Sequence, residues 1–341
     1  MCRRENSTMR FSALGLMLSL ACGILVAPLV TDAQRAGKVV HIGVLSPYAP
    51  PSSSQPSPIG ELVRQVLRER GWVEGENLLF ERRYSAGQVE QLPALAAELV
   101  QLPVDVILAI GTSAAQAAQH ATRTIPIVFV LVSDPVGSGL AASLAQPGAN
   151  VTGIALTPTV DITGKRLQLL TEAVPQVSRV VALWNPANPT HPSVLSVLEK
   201  TATALGVSLH TLAVRDPTEL ARTLHTITDE QANGLFVPGD PMLDMQHSRI
   251  AQFAIEHRVP TISLTRDFVT LGGLMFYGVV YADIWRRAVA LVDKILRGTT
   301  PADLPIEQPA KFELVINLKT AEALGITIPP TLLFQADEVI R

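Results

Sequence analysis

Residues 104–132 read VDVILAIGTSAAQAAQHATRTIPIVFVLV. Two apolar, largely β-branched runs, Val104–Ile110 and Ile127–Val132, flank an alanine-rich stretch opened by Gly111-Thr112-Ser113. Neither run alternates with polar residues, so neither suits a strand with one wet face; both suit strands covered on both faces. Parallel strands need a crossover of a dozen or more residues, and the alanine-rich stretch supplies a helix of that length. The passage reads as one β-α-β unit of a parallel sheet.

The same grammar extends in both directions. Strands are expected at Val39–Leu45, Leu78–Tyr84 and Val151–Ile154, with helical patterns at Ile59–Arg70, stopped by Gly71, and at Val89–Leu102, ending before Pro103. The pattern then restarts, with strands at Arg179–Trp184, Ser208–Val214, Gly234–Val237 and Pro260–Leu264. Between the first two lies a helix from Pro192 to Leu205, carrying Val194, Val197, Leu198, Ala202 and Leu205 on one stripe and stopped by Gly206. Leu274–Gly278 and a helix over Ala282–Leu296, closed by Gly298, add another unit; Glu313–Asn317 and a short helix to Leu324 follow. Alternation of this kind means an α/β fold, and two successive open units mean two lobes.

Composition narrows the function. The chain has 341 residues, 48% hydrophobic and 17% charged, with a net charge of −3. That balance lacks the basic footprint of a nucleic-acid binder, and no nucleic-acid partner is expected. Arg3, Arg4 and Arg10 precede an uncharged run, Phe11–Val30, that exits through Thr31-Asp32-Ala33. This is the layout of a secretory signal peptide over residues 1–33, cleaved near Ala33. A retained membrane anchor is the competing reading of the run, and Cys22 after Leu20-Ala21 weakly resembles a lipoprotein box. The two cysteines, Cys2 and Cys22, both fall in that segment, so the exported chain would have no disulfide, thiolate metal site or cysteine nucleophile. The seven histidines are scattered without metal-ligand spacing.

The motifs for chemistry are incomplete. Gly137-Ser138-Gly139-Leu140-Ala141-Ala142 has the dinucleotide spacing but follows the fourth strand, where the fingerprint belongs after the first; its glycines read as close helix packing. Gly164-Lys165-Arg166 lacks the first glycine and the hydroxyl of a P-loop, and reads as a helix start with exposed basic residues. No GxSxG elbow is present. In doubly wound sheets a ligand lies beyond the carboxyl ends of the strands. That rule picks Ser46, Pro47 and Tyr48; Gly111, Thr112 and Ser113; Ser133 and Asp134; Trp184 and Asn185; Gly239 and Asp240; and Tyr277. Thr112 and Ser113 at a helix start offer a seat for a carboxylate and serve equally as plain caps. Asp134 and Asp240 suit a ligand ammonium or a helix N-cap, and Tyr48, Trp184 and Tyr277 suit stacking or simple packing.

Several of these segments carry a resemblance. HIGVLS (41–46), SDPVGSGL (133–140), VALWNPANP (181–189) and KFELVINLKTAEALG (311–325) resemble the tryptophan-binding, TrpX-like group of ABC transporter substrate-binding proteins, and the likeness extends from Val39 to the C-terminus. The resemblance implies the type I periplasmic binding protein architecture: two Rossmann-like lobes joined by a hinge. Lobe one would hold residues 38–153 and 278–301, and lobe two residues 154–277 and 302–341. It implies a monomeric periplasmic receptor, without cofactor or enzymatic activity. Such a receptor traps a small solute between the lobes and delivers it to an ABC permease and its ATPase. Ser46, Thr112, Ser113, Asp134, Asn185, Asp240 and Tyr277 would face the cleft. An aromatic or other amino acid is the expected solute. The Pro/Ser-rich loop Tyr48–Pro56 departs from the family pattern. A sensory ligand-binding module and a secreted α/β enzyme are the alternatives.

Overall fold

The computed structural model describes residues 39–51, 57–156 and 159–341, with only the backbone for 159–161. The expected signal peptide, with Cys2 and Cys22, and most of the Pro/Ser-rich loop lie outside the described residues. None of the described helices is long and apolar enough to cross a membrane.

Two sheets form. The first runs β2(Leu78–Tyr84), β1(Val40–Ser46), β3(Val106–Ile110), β4(Ile127–Val132), β5(Val151–Ala155), parallel throughout. The second runs β12(Glu338–Ile340), β11(Phe312–Asn317), β10(Met275–Val279), β9(Thr261–Ser263), β8(Gly234–Val237), β6(Arg179–Trp184), β7(Ser208–Ala213). Only the β10/β11 pair is antiparallel. The central strands are buried on both faces, as their unbroken apolar runs require.

Each sheet is covered on two sides. Pro58–Arg68, started by its first-position proline and by Ser57 Oγ accepting from Gly60 N at 2.9 Å, turns Val63, Val66 and Leu67 inward beside Tyr281–Leu296. The opposite side is filled by Leu92, Ala96 and Leu99 and by Ala114, Ala115 and Ala118 of the Gly111–Ala121 helix. Tyr281–Leu296 follows β10 of the second sheet yet packs on the first, so the chain crosses back there. Beyond that helix, Leu304 and Ile306 also join the cores of the first sheet. Glu307 N donates to Gly153 O at 3.0 Å, and Ala155 N to Glu307 O at 2.9 Å, before the chain leaves for β11. With the exit from β5, three segments connect the two sheets, the architecture of type I periplasmic binding proteins.

Three local expectations change. No helix follows Asp134: residues 135–150 are turns, and the Asp134 carboxylate takes Gly137 N at 2.8 Å. The glycines of 137–142 therefore serve turns, not helix packing. Arg166 is not an exposed residue at a helix start but a buried one, 5% exposed, inside Thr159–Ala173. Thr163, Arg166, Leu167 and Leu170 form its inward stripe at the spacing of one helical face. The last strand, β12, and the Pro330–Gln335 helix went unforeseen because each is too short to show a period.

Candidate functional site

The carboxyl ends of strands from both sheets converge on a cleft with about 690 Å³ of empty space, part of it open to solvent. Pro47 and Tyr48 follow β1; Ile110 to Ser113 end β3; Leu131 and Ser133 end β4; Leu156 follows β5. From the second sheet come Asn188 and Thr190 after β6, Gly239, Asp240, Pro241 and Asp244 after β8, and Leu264 and Thr265 after β9; Tyr281 opens the helix that returns to the first sheet.

Two backbone features shape the first-sheet wall. Gly111 has φ +80° and meets nothing where a Cβ would sit, so glycine is needed for the sharp turn from β3 into its helix, not for space. Leu131 has φ 60° at the register shift between Val130 and Val132, a bulge that turns a leucine into the cleft. The helix begins at Gly111, so Thr112 and Ser113 occupy its first turn instead of the cap; the cap position is Ile110, which offers no side-chain bond. The first-turn N–H groups are left for another acceptor.

The opposite wall is acidic and tightly held. Asp240 is 2% exposed and caps the Pro241–Asp244 helix, accepting from Met242 N at 3.0 Å and Leu243 N at 3.1 Å. Its other oxygen accepts from Asn188 Nδ2 at 2.9 Å and Asn185 Nδ2 at 3.2 Å. These donors are all neutral and occupy its lone pairs. Buried His191 accepts Asn185 N at Nδ1, 2.8 Å, which fixes the proton on Nε2; burial holds its pKa down, so the imidazole is neutral. Asp244 accepts from Tyr48 Oη at 3.2 Å and Thr265 Oγ1 at 3.1 Å. His247 Nε2 lies 3.1 Å from Asp244 Oδ1, off the hydrogen-bond direction. Burial, then the neighbouring Asp244, pushes the Tyr48 pKa up; burial also raises that of Tyr281, and both remain phenols. The Tyr48–Asp244 bond joins the two sheets' halves of the site.

A side pocket with about 520 Å³ of empty space, part of it open to solvent, adjoins the cleft and shares Ser133, Leu156, Thr190, Gly239 and Leu264 with it. Arg166 lines it. Its Nε donates to Tyr277 O at 2.6 Å, and burial lowers its pKa to about 10.

Of the residues expected at the site, Pro47, Tyr48, Gly111, Thr112, Ser113, Ser133, Gly239 and Asp240 line the cleft. Ser46 and Asn185 stand behind the wall, with Ser46 Oγ accepting Tyr48 N at 3.2 Å and Asn185 holding Asp240. The structure does not bring the other three into either wall. Asp134 is exposed in its own turn, Trp184 ends β6 with its carbonyl on Val214 N, and Tyr277 stacks on Phe312 at 6.2 Å. Neighbouring residues at a strand end face opposite ways, so a rule that picks ends does not pick faces. Asp244, Tyr281, Asn188, Thr190, Thr265 and Arg166 were missed. Asp244 had a signal, since it sits one helical turn after Asp240.

The family described as ABC transporter substrate binding protein matches residues 59–340. This chain belongs to that family. A tyrosine-binding protein of Clostridioides difficile is 26% identical over 77% of this chain and 75% of its own length. A solved conserved domain protein of Vibrio cholerae is 28% identical, with TM-score 0.80, covering 89% of this chain and 100% of that one. An ABC domain of Streptococcus pneumonia solved with L-Trp has 24% identity and TM-score 0.78, covering 88% and 99%. The substrate-binding protein thus has the type I fold, with its cleft at the strand ends.

Proposed function

We propose that this substrate-binding protein is the extracytoplasmic receptor of an ABC importer, closing two hinged lobes on an α-amino acid and passing it to a membrane permease and its ATPase. Export would rest on the signal peptide at residues 1–33. The observation that carries the reading is the charge layout of the cleft. Asp240 and Asp244 on one wall face an uncapped helix start at Thr112 and Ser113 on the other. A zwitterion matches both: its ammonium meets the acids, and its carboxylate meets the first-turn N–H groups and hydroxyls. Asp240 is saturated by neutral donors and supplies a fixed negative field. Asp244 keeps acceptor capacity and takes the ammonium directly. Tyr48 and Tyr281 give the wall two aromatic faces, and the relatives described with tyrosine and tryptophan favour an aromatic side chain.

A thermal-shift screen of the ligand-stripped protein against amino acids, sugars, polyamines, nucleosides and small carboxylates tests this. A ligand at a hundred times its dissociation constant adds about 2.7 kcal/mol, or about 5 °C for a chain of this size. Amino acids alone should shift the midpoint. A shift produced only by another solute class refutes the reading.

A further inference from the structure

Among the described residues Arg166 has no anionic partner. At 5% exposure it is removed from solvent, and its recorded bond runs from Nε to the Tyr277 carbonyl. Among the described residues no hydrogen bond runs from Nη1 or Nη2 and no carboxylate pairs with the guanidinium, and neither nitrogen is sealed off, since Arg166 lines a pocket. A guanidinium whose free N–H groups meet an oxygen acceptor in a largely apolar pocket gains strong, directed bonds. Much of the wall of the pocket that Arg166 lines is apolar, from Leu156, Ile162, Val194, Phe236 and Val279. Asp240 and Asp244 line the neighbouring cleft and not this pocket. The two spaces share walls, so a ligand head group in the cleft can send its side chain toward the guanidinium.

We propose that Arg166 is the specificity-determining residue of this receptor, receiving an oxygen acceptor, phenolic or carboxylate, at the far end of the ligand's side chain. The inference rests on the amino-acid reading above and sharpens it: the solute is an amino acid whose side chain ends in oxygen. A side chain ending in carbon fills the same apolar walls but leaves the cation unpaired, and sites built to bond a substrate oxygen reject the analogue lacking it steeply. The bond to Tyr277 O alone would make Arg166 a structural strut and would produce no such preference.

Calorimetric titration of the ligand-stripped wild type with L-tyrosine against L-phenylalanine, and L-glutamate against L-norvaline, tests the proposal and tells phenol from carboxylate. At least one oxygen-ended member should bind about a hundredfold more tightly than its partner. Arg166→Met, which keeps the apolar stem, should bring that ratio within about threefold, chiefly by weakening the oxygen-ended ligand. Arg166→Lys, which keeps the charge without the fork, should retain the preference at reduced affinity. Equal binding within both pairs by the wild type overturns the role of Arg166 and leaves the amino-acid reading standing; it needs no folded variant. A preference that survives Arg166→Met also overturns it. Binding of no amino acid by a protein that melts cooperatively removes both readings together.

Discussion

Replacing Asp244 with asparagine separates ligand recognition from folding. In the wild type each carboxylate oxygen takes one hydroxyl, Tyr48 Oη at 3.2 Å and Thr265 Oγ1 at 3.1 Å. Hydroxyls rotate, so the one left facing the new amide N–H₂ can accept instead of donate, and both contacts survive. Stability should fall by less than about 1 kcal/mol. The ligand ammonium cannot adapt: it loses a hydrogen bond to a charged acceptor, worth about 1.5–3 kcal/mol, a weakening of about 10- to 150-fold. Asp240→Asn is the internal control. Its amide would confront the Nδ2 groups of Asn185 and Asn188, donors that cannot reverse while Asn185 Oδ1 holds Ala187 N and Asn188 Oδ1 holds Thr190 N. A cost of about 1–3 kcal/mol follows, visible as a lower melting point before any ligand is added. Calorimetry for affinity and denaturant melts for stability check both variants. Unchanged affinity in Asp244→Asn, or equal destabilisation by the two substitutions, would refute the reasoning.

The remaining predictions concern the scaffold around the cleft. Tyr48→Phe removes the bond to Asp244 that joins the two halves of the site and should weaken binding about tenfold with little change in melting point, by titration and thermal melt. Gly153→Ala places a Cβ 2.2 Å from the Phe129 carbonyl oxygen, which cannot move aside, and should cost about 3 kcal/mol in a denaturant melt. Gly111→Ala meets no atom but must hold φ +80°, and should cost about 1–2 kcal/mol by the same melt. Buried His191 has its pKa held below the usual value near 6.5, so the unfolded chain takes up its proton first. The stability this confers is complete above about pH 6.5 and declines as pH falls below it, by up to about 1.4 kcal/mol per unit. The difference between wild type and His191→Gln in melts from pH 7 to 5 should follow that slope, and a flat difference would show that His191 is not held neutral.

The strands of the two sheets were legible because a strand covered on both faces leaves nothing but apolar residues to read, as in Val106–Ile110 and Gly234–Val237. Even there the start slipped: Asp105 N donates to His41 O at 2.8 Å, but paired residues begin at Val106. The site was half legible. Strand ends locate the cleft, yet Trp184 and Asn185 are adjacent and only Asn185 reaches toward Asp240. Asp244 and Tyr281 belong to helix ends, which the strand rule does not consult. Arg166 was hidden by its charge. Its place on a stripe with Thr163, Leu167 and Leu170 is plain from spacing, but an arginine there is ordinarily read as a break in the apolar face.

In the proposed closing of two lobes, the charges assigned to the ligand also bear on closure. Asp240 and Asp244 share one wall with no lysine or arginine paired to either among the described residues, while Arg166 lines the adjoining pocket with the Tyr277 carbonyl and no anion as its partner among them. A closed, ligand-free cleft shuts two acids and an unmatched cation away from water, which disfavours closure. On the proposed reading a zwitterion would supply the missing cation to the acids and an anion to the helix start at Thr112, and so would bind the closed form better than the open one. Turning a receptor from 1% to 99% closed takes about 5.5 kcal/mol of differential affinity. Three charge-assisted contacts at about 1.5–3 kcal/mol each give about 4.5–9 kcal/mol, a range that brackets that value before apolar burial is counted. In this scheme the apolar walls set which side chain fits, and the buried charges set whether the protein closes at all.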